Sequence, residues 1–397
     1  MPLKCKSIQA LDDICQTQWQ QLSAGNKYDA TPFLSYPFLK ALEQTQCVDG
    51  NSGWLSHHLV IYDEDAINKN TIVAFLPCYL KTHSYGEYVF DHAWANAYHH
   101  HQLPYYPKLV CCIPFTPVTG SRMLINQNIE ITSQEIYQWL AAHSESIIHA
   151  AGASSLHYLF LPEHDSSELA KQKTKQTLLQ RLSVQFVWKN DGYTDFDEFL
   201  AKMTSRKRRS IRKERSGVYK QGEDLQIKRF TGKDISKELM QDFYLCYQQT
   251  YLKRSGHTGY LNQAFFHQLL EQMPDKLLIV MTFDAGRCIA SALFVYDDKL
   301  LAGRYWGALE DISGLHFECC YYQGIEFCIE NNISTFNPGT QGEHKILRGF
   351  APTYCYSNHH LLHPDFHHAV ADFLSNEKIA MQRYKEQAES VLPFKQP

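Results

Sequence analysis

The chain has 397 residues, of which 44% are hydrophobic and 20% are charged, as is typical of a soluble globular protein. Its length exceeds that of one ordinary domain and favours two domains of roughly 200 residues each. No apolar run approaches the ~18 residues of a membrane-spanning helix. The start, MPLKCKSIQALDD, lacks an apolar signal core, so we expect a cytoplasmic protein.

Charge is distributed unevenly along the sequence. The net charge is −4, but residues 202–220 hold nine lysines and arginines and one glutamate, a net charge of +8 that leaves −12 on the remainder. The twelve cysteines form no C-x-x-C motif, and most lie in apolar runs, which indicates reduced core residues. There is no H-E-x-x-H motif, and we expect no metal site.

The first half of the chain alternates between strand and helix patterns. The predicted strands cover residues 54–62, 71–79, 108–113, 155–161 and 184–188, and the predicted helices cover residues 11–22, 37–43, 132–151 and 166–182. A further helix begins after Asp91 and carries Trp94 and Tyr98 on neighbouring turns. A turn at residues 190–192 predicts a boundary between a domain of residues 1–190 and one of residues 191–397.

The second half continues with helices and a group of strands. The predicted helices cover residues 196–203, 237–252, 263–273 and 315–331, with a basic helix ending near 220 and a last helix from 365. The predicted strands cover residues 225–230, 277–283, 288–296, 300–306, 332–336 and 354–362. Three successive strands predict an antiparallel meander, and a strand–helix–strand crossover follows. Both halves therefore fit a layered α/β (α+β) module that is used twice.

The segment of residues 335–350, TFNPGTQGEHKILRGF, concentrates reactive side chains after a buried strand. A Gly/Pro-rich turn presents Glu343, His344, Lys345 and Arg348 within six positions. Such a turn at the end of a buried strand commonly holds reactive groups at a sheet edge. A solvated turn whose charges point to water is the alternative.

Several segments resemble the FemAB-like branch of the GNAT acyltransferase superfamily, and specifically its predicted N-acyltransferases, described as peptidoglycan-biosynthesis-like. They are YGEYVFDHAWANAY, YYPKLVCCIPFTPVTGSR, RSGHTGYLN, HFECCYYQGIEFCIE and NPGTQGEHKILRGFAPT, which span residues 70 to 355. The resemblance implies two tandem GNAT-like modules and transfer of an acyl or aminoacyl group to an amine. It also assigns Lys345 to the lysine that the family places after its long helix.

Transfer to an amine needs a cation that stabilises the oxyanion and a group that accepts a proton. Lys345 is the first choice for the cation, and Glu343, His344, Glu318 and Asp91 are candidates for the proton. His344 needs little tuning to work near neutral pH. Glu318 lies near a predicted helix start, on its surface, where it serves the helix dipole or catalysis. Asp91 is either a helix cap or a catalytic group.

The donor would be acyl-CoA or aminoacyl-tRNA, with no tightly bound cofactor. GNAT enzymes bind pyrophosphate in a Gly-rich loop at a helix start, but here GALEDISG places two acids there. PFTPVTGSR offers the better phosphate cradle or is a plain structural loop; its candidates are Thr116, Thr119, Gly120, Ser121 and Arg122. The basic helix at residues 206–215 contacts tRNA, binds another anionic ligand, or forms a structural face.

The acceptor is expected to be a small-molecule or peptide amine that enters between the two modules. Trp94, Tyr98 and Trp306 are candidates for lining its cleft, with core packing as the alternative. Arg304 interrupts an apolar strand and meets an anion or a buried carboxylate, and Arg348 is a further substrate-binding candidate. The competing function is a non-catalytic module that keeps the double fold and binds a peptide or glycan.

Overall fold

A computed structural model describes residues 2–24, 31–65, 71–171, 177–222, 224–340 and 342–395. The strands are β1 Leu3–Ile8, β2 Trp54–Ser56, β3 His58–Asp63, β4 Ile72–Leu76, β5 Cys78–Lys81, β6 Lys108–Cys111, β7 Leu124–Ile125, β8 Ser155–Leu161, β9 Leu179–Lys189, β10 Gln226–Thr231, β11 Leu277–Asp284, β12 Arg287–Tyr296, β13 Leu300–Ala308, β14 Thr335–Asn337 and β15 Ala351–Leu361. The helices are α1 Gln16–Ser23, α2 Tyr36–Gln44, α3 His92–His100, α4 Ser133–Ala142, α5 Ser144–Ala150, α6 Glu163–Lys171, α7 Phe196–Ala201, α8 Ser205–Val218, α9 Lys237–Ser255, α10 Gln263–Gln272, α11 Leu315–Phe317, α12 Gln323–Glu330 and α13 Pro364–Ser390. A π-helical turn, Glu318–Tyr322, joins α11 to α12, and a 3-10 helix covers Glu343–Arg348.

The chain forms two units whose bounds differ from the predicted domains. The first unit contains residues 1–183 and 354–383, and the second contains residues 184–353 and 384–397. The predicted boundary after residue 190 lies close to the first of these divisions. Residues 354–383, however, belong to the first unit and not to the second as predicted. The reason is that β15 pairs with β8, and Val370 and Leu374 of α13 share a core with Trp94 and Tyr98.

The first unit contains two groups of paired strands. One is an antiparallel sheet in the order β1-β3-β4-β7, and the other runs β15-β8-β6-β5-β2, with β6 and β8 parallel. Strands β4 and β8 do not alternate between buried and exposed positions, because every one of their residues is buried. Such strands are covered on both faces. A Thr132–Glu135 capping box starts α4, which packs on this core.

The second unit is built on six strands in the order β10-β11-β12-β13-β14-β9. The predicted meander is confirmed, because β11, β12 and β13 are antiparallel neighbours. The crossover through α11 and α12 is also confirmed, because β14 lies parallel to β13. Helix α9 lies so close to β13 that a Cβ on Gly307 would be 1.9 Å from the carbonyl oxygen of Cys246. Glycine is therefore required at that strand position.

Four helix predictions need correction. The helix predicted over residues 11–22 begins at Gln16, after a separate 3-10 turn at Leu11–Asp13. The helix predicted over residues 132–151 is two helices that divide at His143. The helix predicted over residues 166–182 ends earlier, because β9 begins at Leu179; residues 172–176 lie outside the described part of the chain. The helix predicted over residues 315–331 contains the π-helical turn, which changes the faces that its residues present.

Candidate functional site

The chain leaves the sheet after β14, and the 3-10 helix Glu343–Arg348 follows. The turn depends on Gly342, whose φ of 106° favours glycine. A Cβ at this position would also lie 2.3 Å from the His344 ring. Gly342 therefore lets the backbone turn and leaves room for the imidazole.

Lys345 points into the protein and is only 1% exposed. Its Nζ donates hydrogen bonds to the carbonyl oxygens of Gly339, at 2.7 Å, and Thr340, at 3.1 Å. It makes no ion pair with a described residue. Burial therefore lowers the pKa of Lys345 to about 7, and only the nearby Cys320 thiol opposes the shift. Near neutral pH this amine exists in both its charged and its neutral form.

His344 lies beside Lys345 on the outer side of the turn, with its ring partly exposed. Its Nε2 and the hydroxyl oxygen of Tyr321 are 2.8 Å apart and share a hydrogen bond. The rings of Phe317 and His316 pack within 5.4 and 6.1 Å of the His344 ring. Burial, and then the cations Lys345 and Arg348, lower the pKa of His344. His344 is therefore mainly neutral at pH 7 and can accept a proton.

Trp306 joins this group through His316. The two rings meet edge to face, with centroids 5.5 Å apart. Burial and the nearby cations lower the pKa of His316 to about 3, so its imidazole is neutral at pH 7. Trp306 is partly buried, as are Phe317 and His316. The structure thus places Trp306, predicted to line a cleft, next to the turn that carries His344 and Lys345.

Arg348 was predicted to bind substrate, but its guanidinium is held by other groups of the protein. Its Nε lies 3.2 Å from Glu214 Oε2, and Nη2 forms the second bond of a bidentate ion pair with the same carboxylate. Its Nη1 donates to the backbone oxygen of His344 at 2.7 Å. The guanidinium also lies 3.5 Å from the ring centre of Phe317. These contacts assign Arg348 to fixing the turn.

Glu318 was predicted on the helix surface as a cap or a proton acceptor, but it is fully buried in the π-helical turn. Both carboxylate oxygens accept hydrogen bonds from Arg215, at 2.9 and 2.7 Å. Gln323 donates a third at 2.9 Å. The inserted π-turn rotates Glu318 inward toward the arginine. This bidentate pair leaves the carboxylate as a structural anchor of α8.

The side chain of Glu343 is exposed to solvent. It accepts a hydrogen bond from the hydroxyl of Tyr384 at 3.0 Å. Among the described residues, its carboxylate bonds neither to His344 nor to Lys345. Of the candidates for proton transfer in the second unit, Glu343 bonds to Tyr384, Glu318 bonds to Arg215, and His344 bonds to the hydroxyl of Tyr321.

Arg304 sits at a bulge in β13. Leu293 pairs with Tyr305 and Phe294 pairs with Gly303, which leaves Arg304 as the extra residue. Its side chain is partly buried, and its guanidinium lies 5.2 Å from the Tyr305 ring centre. Bulges often re-aim a side chain next to a functional site.

The bulge coincides with the place where β13 and β14 separate. Their parallel pairing ends at Ala302 and Asn337, whereas β13 continues to Ala308. The turn that carries Lys345 departs at that point. The parallel pairing thus ends just before Gly339, whose backbone oxygen accepts a hydrogen bond from Lys345.

The first unit holds a second buried group of charges, around Asp91. Asp91 is 3% exposed and accepts hydrogen bonds from Lys108 and, at 2.6 Å, from Tyr105. Burial opposes the charged form of Asp91, but Lys108 and these hydrogen bonds outweigh it and hold the pKa of Asp91 well below its usual range. Asp91 occupies the cap position of α3 without a capping hydrogen bond from its side chain. It serves as the counter-charge of Lys108.

Trp94 and Tyr98, predicted to line a cleft, lie in the core of the first unit, at 5% and 3% exposure. Trp94 packs edge to face on His359, with ring centroids 4.9 Å apart, and Tyr98 packs on Phe366 at 4.0 Å. The alternative of core packing therefore describes both residues. Because Trp94 and Tyr98 lie in one unit and His344 in the other, the predicted groove between the modules stays a prediction.

The loop predicted as a phosphate cradle is occupied by its own contacts. Arg122 is fully buried, and its guanidinium donates to the backbone oxygens of Leu159, Gly120, Ser121 and Val118, at 2.6 to 3.2 Å. Ser121 and Thr116 are buried and donate to Met123 and Pro114, Thr119 contacts Cys355, and the Gly120 amide donates to Phe160. The loop is therefore a structural element tied together by one arginine.

The loop before α11 is likewise engaged. The amides of Leu315 and Phe317 donate to the backbone oxygens of Ile312 and Gly314, at 3.2 and 3.0 Å. Glu310 is paired with Arg287. Because these two backbone amides already donate hydrogen bonds within the protein, they are not available to bind a pyrophosphate at this helix start.

The basic helix α8 has two different faces. Glu214 and Arg215 point inward to the ion pairs described above, whereas Arg206, Arg209, Arg212 and Lys213 are exposed. Arg212 pairs with Asp197 on the surface. The first turn carries cations where the helix dipole favours anions. The outer face therefore presents a positive surface to solvent.

Sequence reasoning missed the groups that complete the site. Tyr321, His316 and Glu214 were not among the predicted site residues. Tyr321 and His316 lie five positions apart in a helix whose π-turn brings both rings to His344. The one available signal for Glu214 was its isolation, as the single acid among nine cations.

Comparison with known proteins gives a family and a fold. The profile of the FemAB-like family, described as peptidoglycan biosynthesis/recognition, matches residues 10–396. The crystal structure of FemX is similar over 90% of this chain and 98% of its own, with a TM-score of 0.51 and 10% identity. The crystal structure of a conserved protein of unknown function from Bacteroides thetaiotaomicron is also similar over 90% of this chain and 98% of its own, with a TM-score of 0.50 and 12% identity.

A tandem GNAT protein from the clavulanic acid biosynthesis pathway also matches, with a TM-score of 0.46 and 10% identity over 91% of this chain and 98% of its own. The predicted fold class, two tandem GNAT-like modules of the FemAB-like type, is confirmed. No curated protein matches the chain significantly in sequence. Among the helices of the described residues, none has the length and apolar character needed to cross a bilayer.

Proposed function

The chain belongs to the FemAB-like family, and on that premise we propose that it is an N-acyltransferase that moves an aminoacyl or acyl group from an activated donor to an amine. The observation that carries the proposal is the buried amine of Lys345, whose hydrogen-bond partners among the described residues are backbone carbonyls and no carboxylate. Burying a charge without a counter-charge lowers stability. A functional role for its charge accounts for keeping a lysine at this position.

In the proposed reaction, the Lys345 ammonium stabilises the negative charge that forms on the donor carbonyl. Its two carbonyl partners fix the direction of Nζ before substrate binds, so no reorganisation is needed at the transition state. Donation to two acceptors leaves one N–H of the ammonium for the oxyanion.

The proton of the attacking amine is assigned to His344. The amine nitrogen forms a bond to the donor carbonyl carbon, and the C–O or C–S bond to the leaving group breaks. His344 takes the proton released by the amine and returns it to the leaving oxygen or sulfur, so that atoms and charge balance. Its lowered pKa supports this role, because the neutral imidazole is the form that accepts a proton.

We further propose that the donor is aminoacyl-tRNA, not acyl-CoA. Both loops that resemble pyrophosphate cradles use polar groups internally, as shown by the Arg122 contacts and the amides before α11. The exposed face of α8, with Arg206, Arg209 and Lys213, suits a nucleic-acid backbone instead. The acceptor is proposed to be the amine of a peptide or small molecule, and the family description supports a peptidoglycan precursor.

The test compares donors by binding. Isothermal titration is carried out with acetyl-CoA, a long-chain acyl-CoA and alanyl-tRNA, with salt varied for the tRNA. We expect tRNA to bind with a salt slope that falls by about 1–2 in the Arg206→Gln/Arg209→Gln double variant, because each lost phosphate contact removes roughly 0.7–0.9 from the slope. The Lys237→Gln/Lys276→Gln variant, with two exposed cations elsewhere in the second unit, serves as the matched control.

Each outcome separates the alternatives. Binding of an acyl-CoA in place of tRNA overturns the donor assignment and keeps the acyltransferase class. Binding of neither donor favours the competing function, a peptide- or glycan-binding module. If a donor binds and Lys345→Ala transfers its acyl group at the normal rate, the assignment of the site is wrong.

A further inference from the structure

The inner face of α8 is formed by residues spaced as helix neighbours, Ile211, Glu214, Arg215 and Val218. Ile211 and Val218 are buried in the core of the second unit, and the two charged residues between them make ion pairs with the rest of that unit. This spacing of three, four and seven positions defines one stripe of the helix. Glu214 and Arg215 therefore point toward other groups of the second unit, with side chains that are 27% and 18% exposed.

Glu214 connects α8 to the turn that carries His344 and Lys345. Its two carboxylate oxygens form the bidentate ion pair with Arg348, and Oε2 also accepts a hydrogen bond from the hydroxyl of Tyr322. The side chain of Arg348 is 9% exposed and that of Glu214 is 27% exposed, so this pair is partly shielded from water. Shielded bidentate pairs are stronger and more directional than surface pairs.

Arg348 passes this constraint on to the backbone of the site. Its remaining donor, Nη1, bonds to the carbonyl oxygen of His344. That carbonyl belongs to the peptide that joins His344 to Lys345. This peptide joins the Cα atoms of His344 and Lys345. Any rotation of it would therefore move the His344 ring and the buried Nζ of Lys345 together.

We propose that Glu214 is a positioning residue that sets the His344–Lys345 peptide through Arg348. Glu214 does not touch the reacting atoms. The inference rests on the proposed function for its catalytic meaning, but the geometric claim is independent of any substrate. It also gives α8 a second role besides its exposed basic face.

The electrostatic surroundings of His344 provide a readout of this role. The charged or titratable groups that face it are Glu214, His316, Tyr321, Lys345 and Arg348. Glu214 raises the pKa of His344, whereas Lys345 and Arg348 lower it. Removing the Glu214 charge therefore leaves Arg348 uncompensated beside His344.

The experiment is a titration of His344 by NMR with Cε1-labelled histidine in the full-length chain, with the resonance identified by its loss in His344→Asn. In Glu214→Gln, we expect the pKa of His344 to fall below its value in the unmodified protein. The matched control is Glu330→Gln, which removes the charge of another Glu–Arg pair of the second unit, Glu330 with Arg229 at 2.8 Å. The control should leave the His344 titration unchanged.

A second variant separates position from charge. Glu214→Asp keeps the negative charge but shortens the side chain by one methylene, so the pKa of His344 should stay close to its original value. With a donor and acceptor for which the unmodified protein is active, we expect kcat to fall about tenfold or more in both Glu214 variants, with donor KM little changed, because small misplacements of reacting groups slow the chemical step. If Glu214→Gln fails to fold, the aspartate variant alone carries this test.

Two results would overturn the proposal. One is a His344 titration in Glu214→Gln that equals that of the unmodified protein. The other is a kcat in Glu214→Asp that equals the original kcat. Because the titration needs no substrate, absence of transferase activity in the unmodified protein would count against the proposed function and leave the positioning claim to be judged by NMR.

Discussion

Lys108 in the first unit and Lys345 in the second are equally buried, each only 1% exposed, yet their surroundings differ. Lys108 Nζ lies 2.8 Å from Glu87 Oε2 and also bonds to Asp91. Burial opposes its charge, but the two carboxylates outweigh this effect and raise the pKa of Lys108. Lys345 meets backbone carbonyls instead, and burial lowers its pKa to about 7.

This difference shows that burial by itself does not determine the charge of a lysine. The presence or absence of a carboxylate decides whether the ammonium is fixed or can lose its proton near neutral pH. Lys108 thus has the surroundings of a structural tie. Lys345 has the surroundings of a group that can change its charge near neutral pH, as the proposed function requires. Substitutions at the two positions should therefore have opposite effects on stability.

The largest effect is expected for Lys108→Met. The substitution leaves Glu87 and Asp91 buried without their cation, and removing one partner of a buried ion pair typically costs about 3–5 kcal/mol. We expect the free energy of unfolding, measured in urea, to fall by that amount. The triple variant Lys108→Met/Glu87→Gln/Asp91→Asn removes all three charges and should regain much of the loss. Equal stability of Lys108→Met and the unmodified protein would contradict the role of Lys108 as a tie.

Lys345→Met should separate activity from stability. The barrier to acyl transfer is expected to rise by about 2–4 kcal/mol, the typical effect of losing an oxyanion-stabilising donor. The free energy of unfolding should rise, by on the order of 1 kcal/mol, because a buried cation without a counter-charge is replaced by an apolar side chain of similar length. Transfer assays and urea unfolding measure the two effects separately.

The pH dependence of transfer provides the control for Lys345. The ammonium form is present below its pKa of about 7, so activity that needs the charge should fall as the pH rises through 7. Lys345→Arg keeps a cation at every accessible pH and should abolish this alkaline decline in whatever activity it retains. A loss of stability in Lys345→Met, or an unchanged alkaline decline in Lys345→Arg, would remove the contrast with Lys108.

Local pattern was sufficient to predict most of the fold. The predicted strand over residues 155–161 coincides with β8, and the meander and the parallel crossover of the second unit follow the predicted order. These elements have strong apolar periodicity and clear turns. The π-helical turn has no such signature, because its inserted residue changes no composition. As a result, Glu318 was placed on the surface although it is buried.

The site was predictable where local chemistry determines it and not where distant partners do. The glycine-flanked turn drew attention to His344 and Lys345 because Gly342 and the charges are adjacent in sequence, and their catalytic roles stay a prediction. Arg122 has the composition of a phosphate ligand, but its four acceptors are backbone oxygens, which no sequence pattern reveals. Lys108 begins an apolar run, and that charge in a buried strand was the available sign of the tie with Glu87 and Asp91.

The smallest expected effect concerns the pH dependence of stability and two buried histidines of the first unit. The Nδ1 atoms of His157 and His359 lie 2.7 Å apart, and burial lowers the pKa of His157 to about 3 and that of His359 well below its usual range. Like Lys345, they have no directly bonded carboxylate in the described structure. Between these values and the unfolded pKa near 6.5, the unfolded chain binds more protons, so acidification destabilises the fold.

The measurement is the slope of unfolding free energy between pH 6 and pH 5 in urea. Each such histidine contributes up to about 1.4 kcal/mol per pH unit, so His157→Gln should reduce the slope by up to that amount. Glu87, whose pKa burial raises to about 7, contributes with the opposite sign over this range but is present in both proteins, so it cancels in the difference. His149→Gln, at a side chain 66% exposed, is the matched control. An equal slope in His157→Gln and in the unmodified protein would mean that the buried pair takes up protons as readily as exposed histidines do, and that burial without a carboxylate does not suppress charge in this unit as it does at Lys345.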